Sequence, residues 1–124
     1  MSDAHASLFR WQDVPREALG PRLARQVITG ERMMLAQLHL DEGATVPTHS
    51  HENEQLTYVL EGLLRFWLGE DESQVLDVGA GEVLHIPSGV PHRVLALERT
   101  LDVDVFCPPR QDWLDGSDAY LRER

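Results

Sequence analysis

Short runs in which apolar and polar positions alternate recur along the chain, at Gln26–Thr29, Met33–Leu40, Gln55–Leu60, Leu63–Leu68, Gln74–Val78, Val83–Ile86, Arg93–Leu97 and Leu101–Phe106. They are separated by turn-forming breaks at Gly30, 41–43, Gly62, 69–71, 79–81, 87–89 and 108–109. Successive side chains of an extended chain point to opposite faces, so such runs read as strands with one buried face. Many short strands with frequent turns predict an all-β chain folded as an antiparallel sandwich or barrel. Only Pro15–Leu19 and Gln111–Leu121 read as helical. No repeat, low-complexity tract or linker interrupts the pattern, and residues 1–124 read as a single domain.

Two strands say more through their parity. Gln55, Thr57 and Val59 share one face, opposite Leu56, Tyr58 and Leu60; Asp102, Asp104 and Phe106 oppose Leu101, Val103 and Val105. Ordinarily the greasier face turns inward. His49 and His51, however, are two residues apart and project to one side of an extended chain. If they line a cavity together with Gln55, the greasy faces point outward and need cover. A second subunit or the N-terminal strands would supply it, and a homodimer is expected.

Charge narrows the partners. The chain holds 21 acidic and 11 basic residues, net −10, and every basic residue is arginine. That excess argues against nucleic acid and anionic membrane surfaces. An anionic ligand would need a local arginine or a cation to draw it in. No apolar run approaches the roughly 20 residues that cross a bilayer, and the N-terminal stretch does not read as a secretory leader. The single cysteine, Cys107, rules out an internal disulfide framework, and the cytoplasm is the expected location. Cys107 itself reads as a small buried filler, because no histidine lies near it in sequence to activate it.

Candidate chemistry lies in two clusters. In the first, Gly43 is followed after five residues by His49-x-His51, after three more by Gln55 and after six more by Gly62. In the second, Gly81 is followed after five residues by Pro87-x-Gly89 and after two more by His92. This pair resembles the two-part signature of the cupin superfamily. The resemblance implies a double-stranded β-helix (jelly-roll) barrel with its core at about 33–107. It also implies one metal ion held by His49, His51, Gln55 and His92. Two positions depart from the family pattern: Gln55 stands where the family has glutamate, and Ala96 where an asparagine often closes the second motif. An amide oxygen ligates without adding charge, so the ion would be held less tightly but would polarise a substrate more strongly. Glu54, of opposite parity, is not expected to replace Gln55. A nitrogen-rich set disfavours magnesium and calcium and admits nickel, zinc, manganese, iron or copper. Each imidazole also needs an acceptor for its second nitrogen, which the sequence does not identify. His5 reads as part of a tail, His39 and His85 as structural strand residues, and Trp11, Trp67 and Trp113 as core or interface.

The stretch L101-D-V-D-V-F-C-P-P-R-Q-D-W113, with T48-H-S-H-E-N-E-Q-L-T-Y-V-L-E-G62, is similar to the small KdgF-type cupins of pectin and alginate breakdown. These open 4,5-unsaturated monouronates to linear 4-deoxy-5-keto sugar acids and likewise carry glutamine at the fourth ligand position. The resemblance implies functional roles for Asp104, Phe106 and Arg110, which fit the family's D-x-F-x-x-x-R spacing. Asp104 would move a proton at the enol carbon and the attacking water, Arg110 would grip the uronate carboxylate in a two-pronged contact, and Phe106 would wall the sugar face. The residues alone leave plainer readings open. On those, Asp104 is a solvated strand residue as Asp102 is expected to be, Arg110 pairs with a surface acid, and Phe106 belongs to the core. The alternatives to a uronate-linearising enzyme are an iron-dependent dioxygenase, against which Gln55 counts, and a metal- or small-ligand-binding module without turnover.

Overall fold

The computed structural model describes residues 5–122; the ends of the expected domain, 1–4 and 123–124, lie outside the described residues. Ten strands form: β1 (Glu17–Ala18), β2 (Leu23–Thr29), β3 (Met34–Leu40), β4 (Thr45–His49), β5 (Glu54–Glu61), β6 (Leu63–Leu68), β7 (Gln74–Gly79), β8 (Val83–Ile86), β9 (His92–Ala96) and β10 (Thr100–Cys107). They build two antiparallel sheets in the orders β1-β2-β3-β10-β5-β8 and β4-β9-β6-β7. From β3 onward the chain changes sheet at every connection except β6–β7, so the sheets face each other as a jelly roll.

All eight expected strands form, with ends shifted by a few residues. Two more were not expected. β1 is short and held to β2 by the register Glu17↔Arg25, where the two side chains also meet as an ion pair at 3.0 Å. This pairing replaces the helix expected at Pro15–Leu19, and the nearby helical turn is a 3-10 turn at Trp11–Asp13. In β4, Pro47 interrupts the alternation and the pairing with β9 is irregular between Val46 and His49. At the other end, the helix expected over Gln111–Leu121 is only α1 (Gln111–Asp115), closed by Gly116 in the left-handed conformation, followed by a 3-10 turn at Ala119–Leu121.

The core lies between the sheets. β3 contributes Met34, Ala36, Leu38 and Leu40; β6 contributes Leu64, Phe66 and Leu68; β9 contributes Val94 and Ala96. Each large side chain so buried stabilises the fold by about 1.5–3 kcal/mol. β5 and β10 break this pattern by turning polar residues inward. Their register sets Phe106 beside Gln55, Asp104 beside Thr57 and Asp102 beside Val59, and all six are buried. The outward sets are therefore the greasy ones, with Leu56 at 42% and Tyr58 at 44% exposure. β1 and β2 extend the sheet edge and do not lie over this face.

The C-terminal segment packs back onto the barrel through Trp113 and Leu121, both buried. Asp118, fully buried, meets the Arg25 guanidinium of β2 at 2.6 Å, and Arg25 also lies 4.6 Å from the Trp113 ring centre. This carries the segment across one end of the space between the sheets.

Candidate functional site

Three imidazoles converge at that end. His49 ends β4, His51 follows in the bend before β5, and His92 opens β9. Their ring centres are 4.2 Å (His49–His92), 5.1 Å (His51–His92) and 5.7 Å (His49–His51) apart. One ring nitrogen from each lies within 4.8 Å of the others. The acceptors that the sequence does not reveal are backbone carbonyls, each two residues away along the chain. His49 Nδ1 donates to Pro47 O (2.8 Å), His51 Nδ1 to Asn53 O (3.0 Å) and His92 Nδ1 to Val90 O (2.9 Å). A carbonyl only accepts, so each Nδ1 carries the proton and each Nε2 presents a lone pair.

The imidazoles are also kept neutral. Burial lowers the His49 pKa to about 3, helped by His92, and that of His51 to about 4, helped by Arg110; His92 is lowered by burial as well. Gln55 completes the set. Its amide nitrogen donates to Thr57 Oγ1 (2.8 Å), which turns its oxygen toward His51 Nε2 at 3.1 Å. With the His51 proton committed to Asn53, two acceptors face each other with no hydrogen between them. A cation relieves that arrangement, and the donor set of three imidazole nitrogens and one amide oxygen fits a divalent transition ion. Glu54 points away, as parity predicts, and meets His85 on the outer surface at 2.7 Å.

Beneath the imidazoles a cavity of about 50 Å³ lies between the sheets. Asp104, Phe106 and Arg110 all line it. Burial pushes the Asp104 carboxyl up to about 6, against the lowering effects of hydrogen bonds from Thr57 and Asp102 and of the Arg110 charge. The Phe106 ring lies 5.8 Å from His51 and 5.0 Å from Trp113, edge to face in both cases.

Arg110 is 2% exposed, with its guanidinium 5.1 Å from the Phe106 ring centre and 4.9 Å from that of Trp113. Its two-pronged face is already taken. Nε and Nη2 donate to the two carboxylate oxygens of Asp112 at 3.0 and 2.8 Å, and Nη2 also donates to the Tyr120 hydroxyl. The fork expected to hold a ligand therefore holds Asp112, and Nη1 is the donor left over. Tyr120 itself lies 4.7 Å from His49, ring to ring.

Two expectations are corrected. Asp102 is not solvated: it is 3% exposed and lines the same cavity, because it shares the inward face of β10 with Asp104 and Phe106. Its carboxyl is held well above the usual range by burial and by the Asp104 charge. Cys107 is exposed and not a buried filler, since the same parity that turns Phe106 inward turns Cys107 outward. Trp67, expected in the core or at an interface, is half-buried on the outer face of the smaller sheet with the Arg93 guanidinium 3.7 Å over its ring.

Other site residues carry little sequence signal. Asn53 is buried and its side-chain amide donates to Pro108 O and Pro109 O, tying the His51 bend to the turn that aims Arg110. Tyr120 and Asp112 come from the C-terminal segment, outside any motif. Thr57 and Asp102 do have a signal, which is parity with Gln55 and Asp104.

The KdgF structure from a Halomonas species superposes with a TM-score of 0.78 at 26% identity, over 86% of this chain and 99% of that one. An RmlC-like cupin from Shewanella frigidimarina gives a TM-score of 0.79 at 24% identity, over 88% and 96%. In sequence, the oxalate decarboxylase OxdC of Bacillus subtilis is 29% identical over 76 residues, or 60% of this chain. The chain spans about a fifth of that relative's length. Among the described residues no helix is long and apolar enough to cross a membrane. The profile described as a cupin domain matches residues 36–107, from the inner face of β3 to the last residue of β10. With more than half its length so matched, the chain belongs to the cupin family.

Proposed function

We propose that this protein is a metal-dependent enzyme that linearises a 4,5-unsaturated uronate, with His49, His51, Gln55 and His92 as the metal ligands. One observation carries the reading: a buried carboxyl and a buried arginine line one cavity with His49 and His92, two members of a three-imidazole cluster. The likeness to KdgF over nearly its whole length supports it, as does the amide at the fourth ligand position. The bound ion, one of nickel, zinc, manganese or iron, would supply Lewis-acid polarisation of substrate oxygen.

The reaction fits what the side chains offer. The cyclic unsaturated uronate and its open 5-keto form are isomers. One proton leaves the anomeric hydroxyl, the ring C1–O bond breaks, and one proton arrives at C4 as the double bond becomes a ketone. A single group that accepts and then returns a proton can serve both ends, provided that its pKa lies near neutrality. Asp104, raised to about 6, meets that condition. The substrate carboxylate would approach Arg110 at Nη1, beside the Tyr120 hydroxyl, against an arginine already oriented by Asp112. Phe106, buried beside Asp104 on the inward face of β10, would supply the apolar wall for the sugar face.

The reading takes residues 1–124 as one domain acting in the cytoplasm on sugar acids released from pectin or alginate. It also takes the active form as a homodimer. The deciding experiment follows the ultraviolet absorbance of unsaturated galacturonate with metal-loaded protein. Accelerated loss is expected, with Arg110→Ala mainly raising KM and Asp104→Asn mainly lowering kcat. Tight binding of the sugar acid without turnover would replace the enzyme with a binding module. Oxygen uptake with iron would replace it with a dioxygenase.

A further inference from the structure

Asp102 is the buried group that the proposed reaction does not use. It sits one inward step deeper on β10 than Asp104, next to Val59 on β5 and Leu38 on β3. Leu40, Leu64, Phe66 and Val94 line the same part of the cavity. One oxygen of each carboxyl, Asp102 Oδ1 and Asp104 Oδ1, is buried with no hydrogen-bond partner, and the two carboxyls interact with each other. The charged groups that face the pair are few. Arg110, lining the same cavity, already has Asp112 as its counter-ion, and Thr57 is the neutral donor from β5.

Elementary electrostatics decides what such a pair does. Two carboxylates in contact inside an apolar barrel do not both ionise near neutral pH, because each charge opposes the other and neither is solvated. One of them keeps a proton. Asp102 lies deeper and lacks the Thr57 hydrogen bond that favours the charged form of Asp104. A leucine at position 102 would pack against the apolar lining at no desolvation cost, so the retained carboxyl acts against stability.

Building on the reading of Asp104 as the proton-transferring group, we propose that Asp102 is a positioning residue. It stays protonated, donates its hydrogen bond to one oxygen of Asp104, and leaves the other oxygen of Asp104 aimed into the cavity for substrate. Asp102 and Thr57 then hold the Asp104 carboxylate from two sides. The chain Gln55 Nε2 to Thr57 Oγ1 to Asp104 links the proton-transferring group to the fourth ligand position.

The test has two arms. In the first, zinc-loaded protein carrying 13C-labelled aspartate carboxyls is followed by NMR against pH without substrate. One carboxyl resonance, absent in both Asp102→Asn and Asp102→Leu, should remain at the protonated position through pH 7; finding both carboxyls of the pair ionised at pH 7 would overturn the proposal. The second arm measures kinetics. Asp102→Asn keeps a donor and should hold kcat within about threefold, whereas Asp102→Leu should lose about 30-fold or more in kcat with KM little changed. Asp102→Leu should melt at or above the temperature of the parent. Equal kcat losses in the two variants, or a kcat loss that tracks a fall in melting temperature, would overturn it. If the uronate is not a substrate at all, the kinetic arm has nothing to measure but the NMR arm still decides the protonation state, so the two failures are distinguishable.

Discussion

At the scale of single residues, the site is organised by where protons are and are not. The pKa values of the three imidazoles are lowered below that of a free histidine, to about 3 for His49 and about 4 for His51. The sign of the consequence is definite. Groups with lowered pKa values are already neutral in the folded protein at pH 7, so no proton has to leave when an ion arrives. Calorimetry of zinc binding at pH 7 in buffers of different ionisation enthalpy should therefore report close to zero protons released. Affinity for the folded protein should hold as pH falls past 6.5 and weaken only as it approaches about 4. Release of one or more protons at pH 7 would mean that the rings are not desolvated as described. The cluster of His49, His51 and His92, with Gln55 beside it, was legible through the resemblance of these spacings to the cupin signature. Asp102 was equally visible by parity with Asp104, yet it was read as solvated because an aspartate inside a barrel contradicts the usual cost of burial. Asp112 and Tyr120 were not legible: they act through contacts made only when the C-terminal segment folds back.

At the scale of elements, the strands were read from alternation and the exceptions have local causes. β4 escaped because Pro47 breaks the alternation, and β1 because two residues carry no period. The terminal helices were overestimated, since periodicity alone does not register Gly116 or the pull of Asp118 toward Arg25. The turn between β5 and β6 shows how closely two elements meet. Gly62 adopts φ +99°, and a Cβ there would lie 2.3 Å from the Arg99 carbonyl oxygen and 2.4 Å from Thr100 Oγ1. Thr100 also accepts from the Leu63 amide at 3.1 Å, so the start of β10 is fixed by this turn. Gly62→Ala combines a disfavoured backbone with a backbone clash. It should cost about 2–4 kcal/mol, read as a drop in the denaturation midpoint with an unchanged m-value. A loss below about 0.5 kcal/mol would show that the turn can shift without disturbing β10.

At the scale of the whole molecule, the inward polar faces of β5 and β10 have a counterpart on the outside. Registered rows run across the larger sheet: Ile28, Leu35, Val105 and Leu56 in one, Gln37, Val103, Tyr58 and Val83 in the next. Leu56, Tyr58 and Val83 are 42%, 44% and 56% exposed. A sheet normally turns its apolar face to the core. Here the cavity occupies that side with a carboxyl pair, an amide and a threonine, so the apolar set has nowhere else to go. The N-terminal segment reaches this face at the β2 end, where Gln26 is buried and donates to Trp11 O and Val14 O, but leaves Leu56, Tyr58 and Val83 exposed. A second copy of the chain is the occupant we propose, since Leu56, Tyr58 and Val83 are neighbours in register and exposed together, and the Glu54–His85 pair lies beside them at the β8 edge. Stable association of this kind buries roughly 1,200–2,000 Å² in total, with aromatic and aliphatic residues at its centre. Light scattering on the full chain should give twice the 14.1 kDa monomer mass. Tyr58→Glu with Leu56→Glu should shift it to the monomer while circular dichroism stays unchanged, because both side chains face away from the core. If the parent protein is monomeric at micromolar concentration, the outward faces of β5 and β10 need another explanation than self-association.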